Sequence, residues 1–127
     1  MAGRREVVVG GLALALLGPT AARAQAGTSY GLIGRIRSVP GKRADLAAIL
    51  LGGTGSMPGC RAYIVAEDAK DADALWITEV WDDAAAHAAS LRLPAVQDAI
   101  RRGRPLIAGF DSRVELKPLG GWELDRG

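Results

Sequence analysis

The sequence predicts an α+β fold in which strands and helices follow one another in the order β-α-β-β-α-β. Four short stretches alternate between apolar and other residues, as strands do. Apolar residues recur at helical spacing between the first and second of these stretches, and again between the third and fourth. This order is the ferredoxin-like arrangement with an antiparallel four-stranded sheet, and a length of 127 residues allows one such domain.

The first half of the predicted domain contains a strand, a helix and a second strand. Residues Tyr30 to Val39 alternate and stop at the turn signal Pro40-Gly41, which predicts the first strand. Apolar residues at helical spacing from Lys42 to Leu51 predict a helix that ends in the glycine-rich segment 52–55. The second strand is predicted from Arg61 to Glu67.

The third predicted strand, Leu75 to Trp81, carries two tryptophans. Its side chains alternate between the faces of the sheet, with Leu75, Ile77, Glu79 and Trp81 on one face and Trp76, Thr78 and Val80 on the other. Since both faces carry large apolar groups, both must be covered. The helices cover one face, and we expect a second copy of the chain to cover the other.

A second helical stretch and a fourth strand complete the predicted domain. Asp82-Asp83 can cap a helix that starts at Ala84, and Pro94 restarts the helix, which is expected to continue toward Ile107. The fourth strand is predicted from Phe110 to Lys117. We therefore expect one domain over residues 27–118 and a short C-terminal tail over residues 119–127.

Residues 1–24 have the pattern of an export signal. Arg4-Arg5 precedes the apolar run Val7 to Gly18, which at 12 residues fits a secretory signal and is too short to span a bilayer. Small residues near Ala24 and Ala26 allow cleavage after either one. The arginine pair resembles a twin-arginine signal, and the Sec route stays open. We expect an exported, periplasmic protein that keeps no stable membrane insertion once the signal is removed.

Removal of this signal changes the charge of the chain. Residues 1–24 contain three of the 16 basic and one of the 14 acidic residues, so the mature chain carries 13 of each. A neutral domain argues against nucleic acid as a partner. The local basic cluster Arg101-Arg102-Gly103-Arg104 is interpreted as a solvated helix end.

The sequence offers few residues for metal or disulfide chemistry. Cys60 is the single cysteine and His87 the single histidine, so neither a disulfide nor a zinc site with three such ligands can be built within the chain. No glycine-rich nucleotide motif and no serine-hydrolase elbow is present. We therefore expect no metal and no cofactor.

Four motifs in sequence order resemble the antibiotic biosynthesis monooxygenase superfamily: Met57-Pro58-Gly59-Cys60, Tyr63-Ile64-Val65, Thr78-Glu79-Val80-Trp81-Asp82-Asp83, and His87. The best marker is a Glu-x-Trp at the end of a strand with a helical histidine six residues after the tryptophan. The resemblance covers about Tyr30 to Pro118. It implies a dimeric α/β barrel, in which two ferredoxin-like domains form a homodimer.

The resemblance also implies a reaction. Oxygenases of this family use neither metal nor flavin, and a phenol or quinol loses a proton and then gives an electron to dioxygen. We expect a small aromatic substrate and dioxygen as partners. His87 is the expected general base, because histidine is the side-chain type whose unperturbed pKa, about 6.5, lies near neutrality, and Glu79 would orient it. Arg35, Arg37 or Arg92 would stabilise the anion, and Tyr63, Trp76 and Trp81 would form an apolar wall.

Other interpretations stay open at this point. Quinol-type members often have a second histidine five residues after the first, and Arg92 occupies that place here. His87 could instead be a structural histidine bonded to Glu79, and the tryptophans could be core residues. The protein could also be a non-catalytic dimeric module that binds a small hydrophobic ligand, or could bind or degrade haem.

Overall fold

The computed structural model describes residues 29–121. Its helices and strands are β1 (Tyr30–Ser38), α1 (Arg43–Gly53), β2 (Cys60–Glu67), β3 (Ala74–Trp81), α2 (Ala84–Ser90), α3 (Pro94–Gly103) and β4 (Ile107–Leu116). The strands form one antiparallel sheet in the order β2-β3-β1-β4. The predicted α+β, ferredoxin-like fold is therefore confirmed. The predicted export signal, residues 1–24, lies outside the described residues.

The register of the sheet determines which residues meet at its two ends. Tyr30, the first residue of β1, pairs with Trp81, the last residue of β3. Toward the other end of β1, Ile36 pairs with Leu75 on one side and Phe110 on the other. The β1–β4 register shifts between Arg35 and Ile36 and again between Arg37 and Ser38, as at a β-bulge.

The hydrophobic core lies between the sheet and the helices. Leu46 of α1 and Leu75 of β3 are completely buried, with Ile77 next to them. Helix α1 also packs closely against α3, because Gly53 lets the two backbones approach: a β-carbon added there would lie 2.5 Å from that of Ala99. The predicted face assignment of β3 agrees with this core.

The second helical stretch differs from the prediction at its end. The helix stops at Gly103, a short 3-10 turn spans Arg104–Leu106, and β4 begins at Ile107. The predicted continuation of the helix toward Ile107 and the strand start at Phe110 are thus wrong. The physical reason is Pro105, which lacks an amide hydrogen and cannot continue an α-helix.

The face of the sheet away from the helices is open in the single chain. Ile64, Val114 and Leu116 lie on it and are 54%, 52% and 41% exposed. This face contains the apolar surface for which the sequence predicts a second copy. Within residues 29–121, no helix combines the length and the apolar content needed to cross a bilayer.

Candidate functional site

The position of His87 follows from the start of helix α2. Asp83 has an extended backbone and accepts a hydrogen bond from the amide of Ala86 at 2.8 Å, which is the geometry of a helix N-cap. His87 lies one turn further along, and its amide reaches the carbonyl of Asp83. Because α2 follows β3 after two residues, this first turn brings the imidazole back over the end of the sheet.

The imidazole of His87 lies among aromatic rings and one carboxylate. Its ring centroid is 5.2 Å from that of Tyr30 and 5.5 Å from that of Trp81, the latter in an edge-on arrangement. Its Nε2 atom lies 3.8 Å from Oε1 of Glu79. The His87 side chain is 17% exposed, so part of the ring stays accessible to solvent.

Glu79 is a largely buried carboxylate, 14% exposed. Its Oε1 atom accepts a hydrogen bond of 2.9 Å from the indole nitrogen of Trp81, which is itself only 1% exposed. The indole therefore fixes the carboxylate beside the imidazole.

Tyr63 and Cys60 lie on β2 near the same carboxylate, and Tyr63 pairs with Glu79 across the sheet. Burial raises the pKa of the Tyr63 phenol well above its ordinary value, and the negative charge of Glu79 adds to the effect. Burial is also the main cause of a raised pKa at the Cys60 thiol, where Glu79 and Asp82 contribute further. Both groups are therefore neutral at pH 7, and Cys60 lacks the thiolate character of a nucleophile.

Sequence reasoning missed Tyr30 as a neighbour of His87. Its hydroxyl donates a hydrogen bond of 2.6 Å to Glu115 of β4, which holds the ring against the imidazole. The hydrogen bond to Glu115 is the main cause of the raised pKa of Tyr30. The missing signal was the strand register, since antiparallel pairing places the start of β1 beside the end of β3.

Three of the predicted site residues, Arg35, Arg37 and Trp76, face the other side of the sheet. Arg35 forms ion pairs with Asp71 at 2.9 Å, with Asp68 at 3.5 Å and with Asp111. Its guanidinium also lies 5.9 Å from the ring of Trp76, whose indole nitrogen donates to Asp68 at 2.8 Å. The structure thus joins Arg35 and Trp76 to each other and separates them from His87.

Arg37 completes this group, which we call the arginine–aspartate cluster: Arg35, Arg37, Asp68, Asp71 and Asp111. Arg37 contacts Asp71 at 3.1 Å and Asp111 at 2.8 Å. The cluster ties β1 to the β2–β3 connection and to β4. The remaining predicted residue, Arg92, is exposed in the turn after α2, where its amide donates to the carbonyl of Ala89.

An apolar groove of about 570 Å³ opens elsewhere, between α1, α3 and β4. Apolar side chains and glycines line it together with one cation: Ile36, Leu50, Ala99, Ile100, Gly103, Arg104, Ile107, Ala108, Gly109 and Phe110. None of the predicted site residues belongs to this lining. Within residues 29–121, no three histidine, cysteine or acidic side chains come close enough together to hold a metal ion.

Comparison with known proteins identifies the family. A family model for antibiotic biosynthesis monooxygenases matches residues 29–102. A solved structure of an antibiotic biosynthesis monooxygenase-type protein from Chloroflexus aurantiacus J-10-fl is 58% identical, with a TM-score of 0.75, and the match covers 76% of this chain and 99% of that one. None of the curated protein sequences matches this chain.

More distant structures share the fold. A protein of the same type from Bacteroides thetaiotaomicron VPI-5482 is 16% identical, with a TM-score of 0.67 over 74% of this chain and 92% of that one. A protein from Mycobacterium tuberculosis is 23% identical, with a TM-score of 0.64 over 74% and 98%. With the family model matching more than half of its residues, the chain belongs to the antibiotic biosynthesis monooxygenase family.

Proposed function

We propose that this protein is a monooxygenase that oxidises a small phenol or quinol with dioxygen, with His87 as the general base and without a metal or flavin. One observation carries the proposal: the imidazole of His87 is partly exposed and lies beside the buried carboxylate of Glu79, within a domain of this family. An imidazole paired with a carboxylate can accept a phenolic proton near neutral pH.

The reaction balances without an added reductant. His87 takes a proton from a hydroxyl of the quinol, and the resulting anion transfers one electron to dioxygen. The two radicals combine at a ring carbon to give a peroxide. The O–O bond then breaks, one oxygen atom stays on the ring and the other leaves as water. For hydroquinone, one quinol and one dioxygen give one hydroxyquinone and one water, so the substrate supplies every electron.

Glu79 is a positioning residue in this mechanism. Because its carboxylate faces Nε2 of His87, it favours a proton on that nitrogen and leaves the lone pair of Nδ1 to accept the substrate proton. After the transfer, the carboxylate stabilises the imidazolium. Trp81 holds Glu79 through its indole nitrogen.

The remaining predicted residues have separate places in the proposal. Tyr63 and Trp81 supply the apolar surroundings of the imidazole, and Arg92, exposed after α2, approaches the substrate anion from solvent. Arg35 and Trp76 reach a molecule only from the open face of the sheet. We propose that a second copy of the chain packs on that face, so these two residues would lie at the interface of a homodimer.

Export to the periplasm also belongs to the proposal, on the sequence pattern of residues 1–24. A test is to express the full chain and to measure the mass of the protein in the periplasmic fraction. We expect a chain shortened by 24 or 26 residues, as cleavage after Ala24 or Ala26 requires. A full-length chain that stays in the cytoplasm would contradict the proposal.

Oxygen uptake tests the proposed reaction. The purified protein is placed in an oxygen electrode with a panel of substituted hydroquinones, and the product is identified by mass spectrometry. We expect uptake that depends on the enzyme, with one oxygen atom added to the ring, and loss of this uptake in His87→Ala. Ligand-dependent thermal stabilisation without product would instead indicate a binding module. A Soret shift on haem titration would indicate a haem protein.

A further inference from the structure

The apolar groove between α1, α3 and β4 has the dimensions of a small-molecule site. Its volume of about 570 Å³ falls in the range of roughly 300–1,000 Å³ that is typical of small-molecule pockets. Phe110 lies at this groove with its side chain 71% exposed, and Ile100 is 38% exposed. Exposed apolar side chains around a concave surface favour binding of an apolar molecule.

Arg104 gives this groove one positive charge. Arg104 is the one positively charged side chain among the described residues that line the groove. Within residues 29–121 it has no ion-pair partner. Its neighbours Arg101 and Arg102 are different, because both pair with Asp98 of the same helix turn. A guanidinium at the rim of an apolar groove complements a carboxylate, sulfonate or phosphate on the ligand.

We propose that this groove binds a small amphipathic anion, with an apolar ring system or short chain against Ile36, Ile100 and Phe110 and its acidic group at Arg104. The size of the groove suits a small molecule rather than a protein segment.

The site is separate from His87. Tyr30, which contacts the imidazole, and Ile36, which lines the groove, lie six residues apart on β1. At roughly 3.3 Å per residue, this separation is about 20 Å along the strand. The groove and the imidazole are therefore two distinct sites. The proposal of binding in the groove can be wrong while the proposal of oxygenase activity holds, and the reverse is also possible.

Two fluorescent probes that differ by one acidic group test whether the positive charge of Arg104 contributes to binding. 8-Anilinonaphthalene-1-sulfonate carries a sulfonate, and N-phenyl-1-naphthylamine has the same rings without it. Each is titrated into the purified protein and into Arg104→Gln. We expect Arg104→Gln to weaken binding of the sulfonate roughly fivefold to tenfold, as loss of a charge-assisted hydrogen bond would. Binding of the neutral probe should stay within twofold.

Two tryptophan substitutions test whether the probes bind in this groove. Ile100→Trp fills the groove from α3, and we expect it to weaken both probes at least about tenfold. Leu91→Trp is the matched control, because Leu91 is similarly exposed but follows α2 at the other end of the sheet. Far-UV circular dichroism shows that each variant is folded. Equal binding of the sulfonate by the wild type and Arg104→Gln, or unchanged binding by Ile100→Trp, would overturn the proposal.

Discussion

His87 and Trp81 share one oxygen atom of Glu79: the imidazole Nε2 lies 3.8 Å from Oε1, and the indole nitrogen donates to the same atom at 2.9 Å. The carboxylate is thus held by the sheet and faces a histidine that the helix supplies. Both side chains are largely shielded from water, His87 being 17% and Glu79 14% exposed.

Removal of either member of the pair should reduce oxygenation to different extents. We expect His87→Ala to lower kcat by about 10²–10⁴-fold, the usual contribution of a general base. Glu79→Gln should lower it by about tenfold, because the base is kept and its orienting charge is lost. Oxygen uptake at saturating quinol measures both. Ala88→Ser, on the exposed side of the same helix, is the control, and equal rates in all four proteins would contradict the mechanism.

Acid should destabilise the fold through the arginine–aspartate cluster. The indole hydrogen bond from Trp76, backbone amides and the Arg35 charge lower the pKa of Asp68 from 3.8 to about 2. A carboxyl group with a lowered pKa in the folded state stabilises the protein fully above its unfolded value. This stability is lost as the pH falls from about 4 to 2.

Urea unfolding at pH 6 and pH 3 measures this loss. We expect Asp68→Asn to be less stable than the wild type at pH 6 and to show a smaller decrease between the two pH values. Asp45→Asn is the control, since Asp45 is exposed and contacts Lys42 at 3.7 Å. The same decrease in wild type and Asp68→Asn would assign the acid sensitivity to other groups.

Close contact between α1 and α3 predicts opposite effects for two adjacent glycines. Gly53→Ala should destabilise the protein by about 1–3 kcal/mol, because the new methyl group overlaps that of Ala99. Gly52→Ala should be neutral or stabilising by about 0.4–1 kcal/mol, since its β-carbon meets nothing within 4 Å. Chemical denaturation measures both. Adding Ala99→Gly to Gly53→Ala should restore part of the loss, and no restoration would contradict the steric explanation.

The buried core predicts unequal costs for two leucines of the same helix. Leu46 is completely buried and Leu51 is 56% exposed. We expect Leu46→Ala to reduce the free energy of unfolding by about 2–5 kcal/mol, because it removes buried apolar contacts and leaves a cavity. Leu51→Ala should cost less than about 1 kcal/mol. Thermal and urea unfolding compare the two, and similar costs would mean that the core is elsewhere.

The open face of the sheet predicts where a homodimer can be broken. Ile64→Asp places a charge among the apolar residues of that face. We expect it to convert a dimer into a monomer in light scattering after size-exclusion chromatography, because an unpaired charge is costly to bury. Leu51→Asp, on the helix side, should leave the mass unchanged. A wild-type protein that is monomeric at micromolar concentration would refute the proposed dimer.

The sequence was sufficient for the fold because the strands have clear turn signals and a clear alternation. The exception was the region after Gly103, where apolar residues continue at helical spacing although Pro105 prevents an α-helix. Leu106 and Ile107 pack against the core. Apolar residues are expected there in a helix as well as in a strand, so their hydrophobicity could not distinguish the two conformations.

The candidate site was less predictable, because its contacts depend on register. Glu79 and His87 are close in sequence across a strand–helix junction, and this proximity was visible. Tyr30 reaches His87 only because β1 pairs with β3 in one particular alignment. Alternation along β3 already places Trp76 on the face opposite Glu79 and Trp81. The pairing of Arg35 with Trp76 then places Arg35 on that same face.

Gly59 has a left-handed backbone, and a β-carbon there would lie 2.6 Å from the β-carbon of Ala86. The loop before β2 therefore presses on the first turn of the helix that carries the imidazole. A bulkier residue at Gly59 or at Ala86 requires a smaller residue or a backbone shift at the other position. The two positions are therefore expected to vary together among related domains. Any remodelling of that turn, by evolution or by a protein engineer, must begin with the loop.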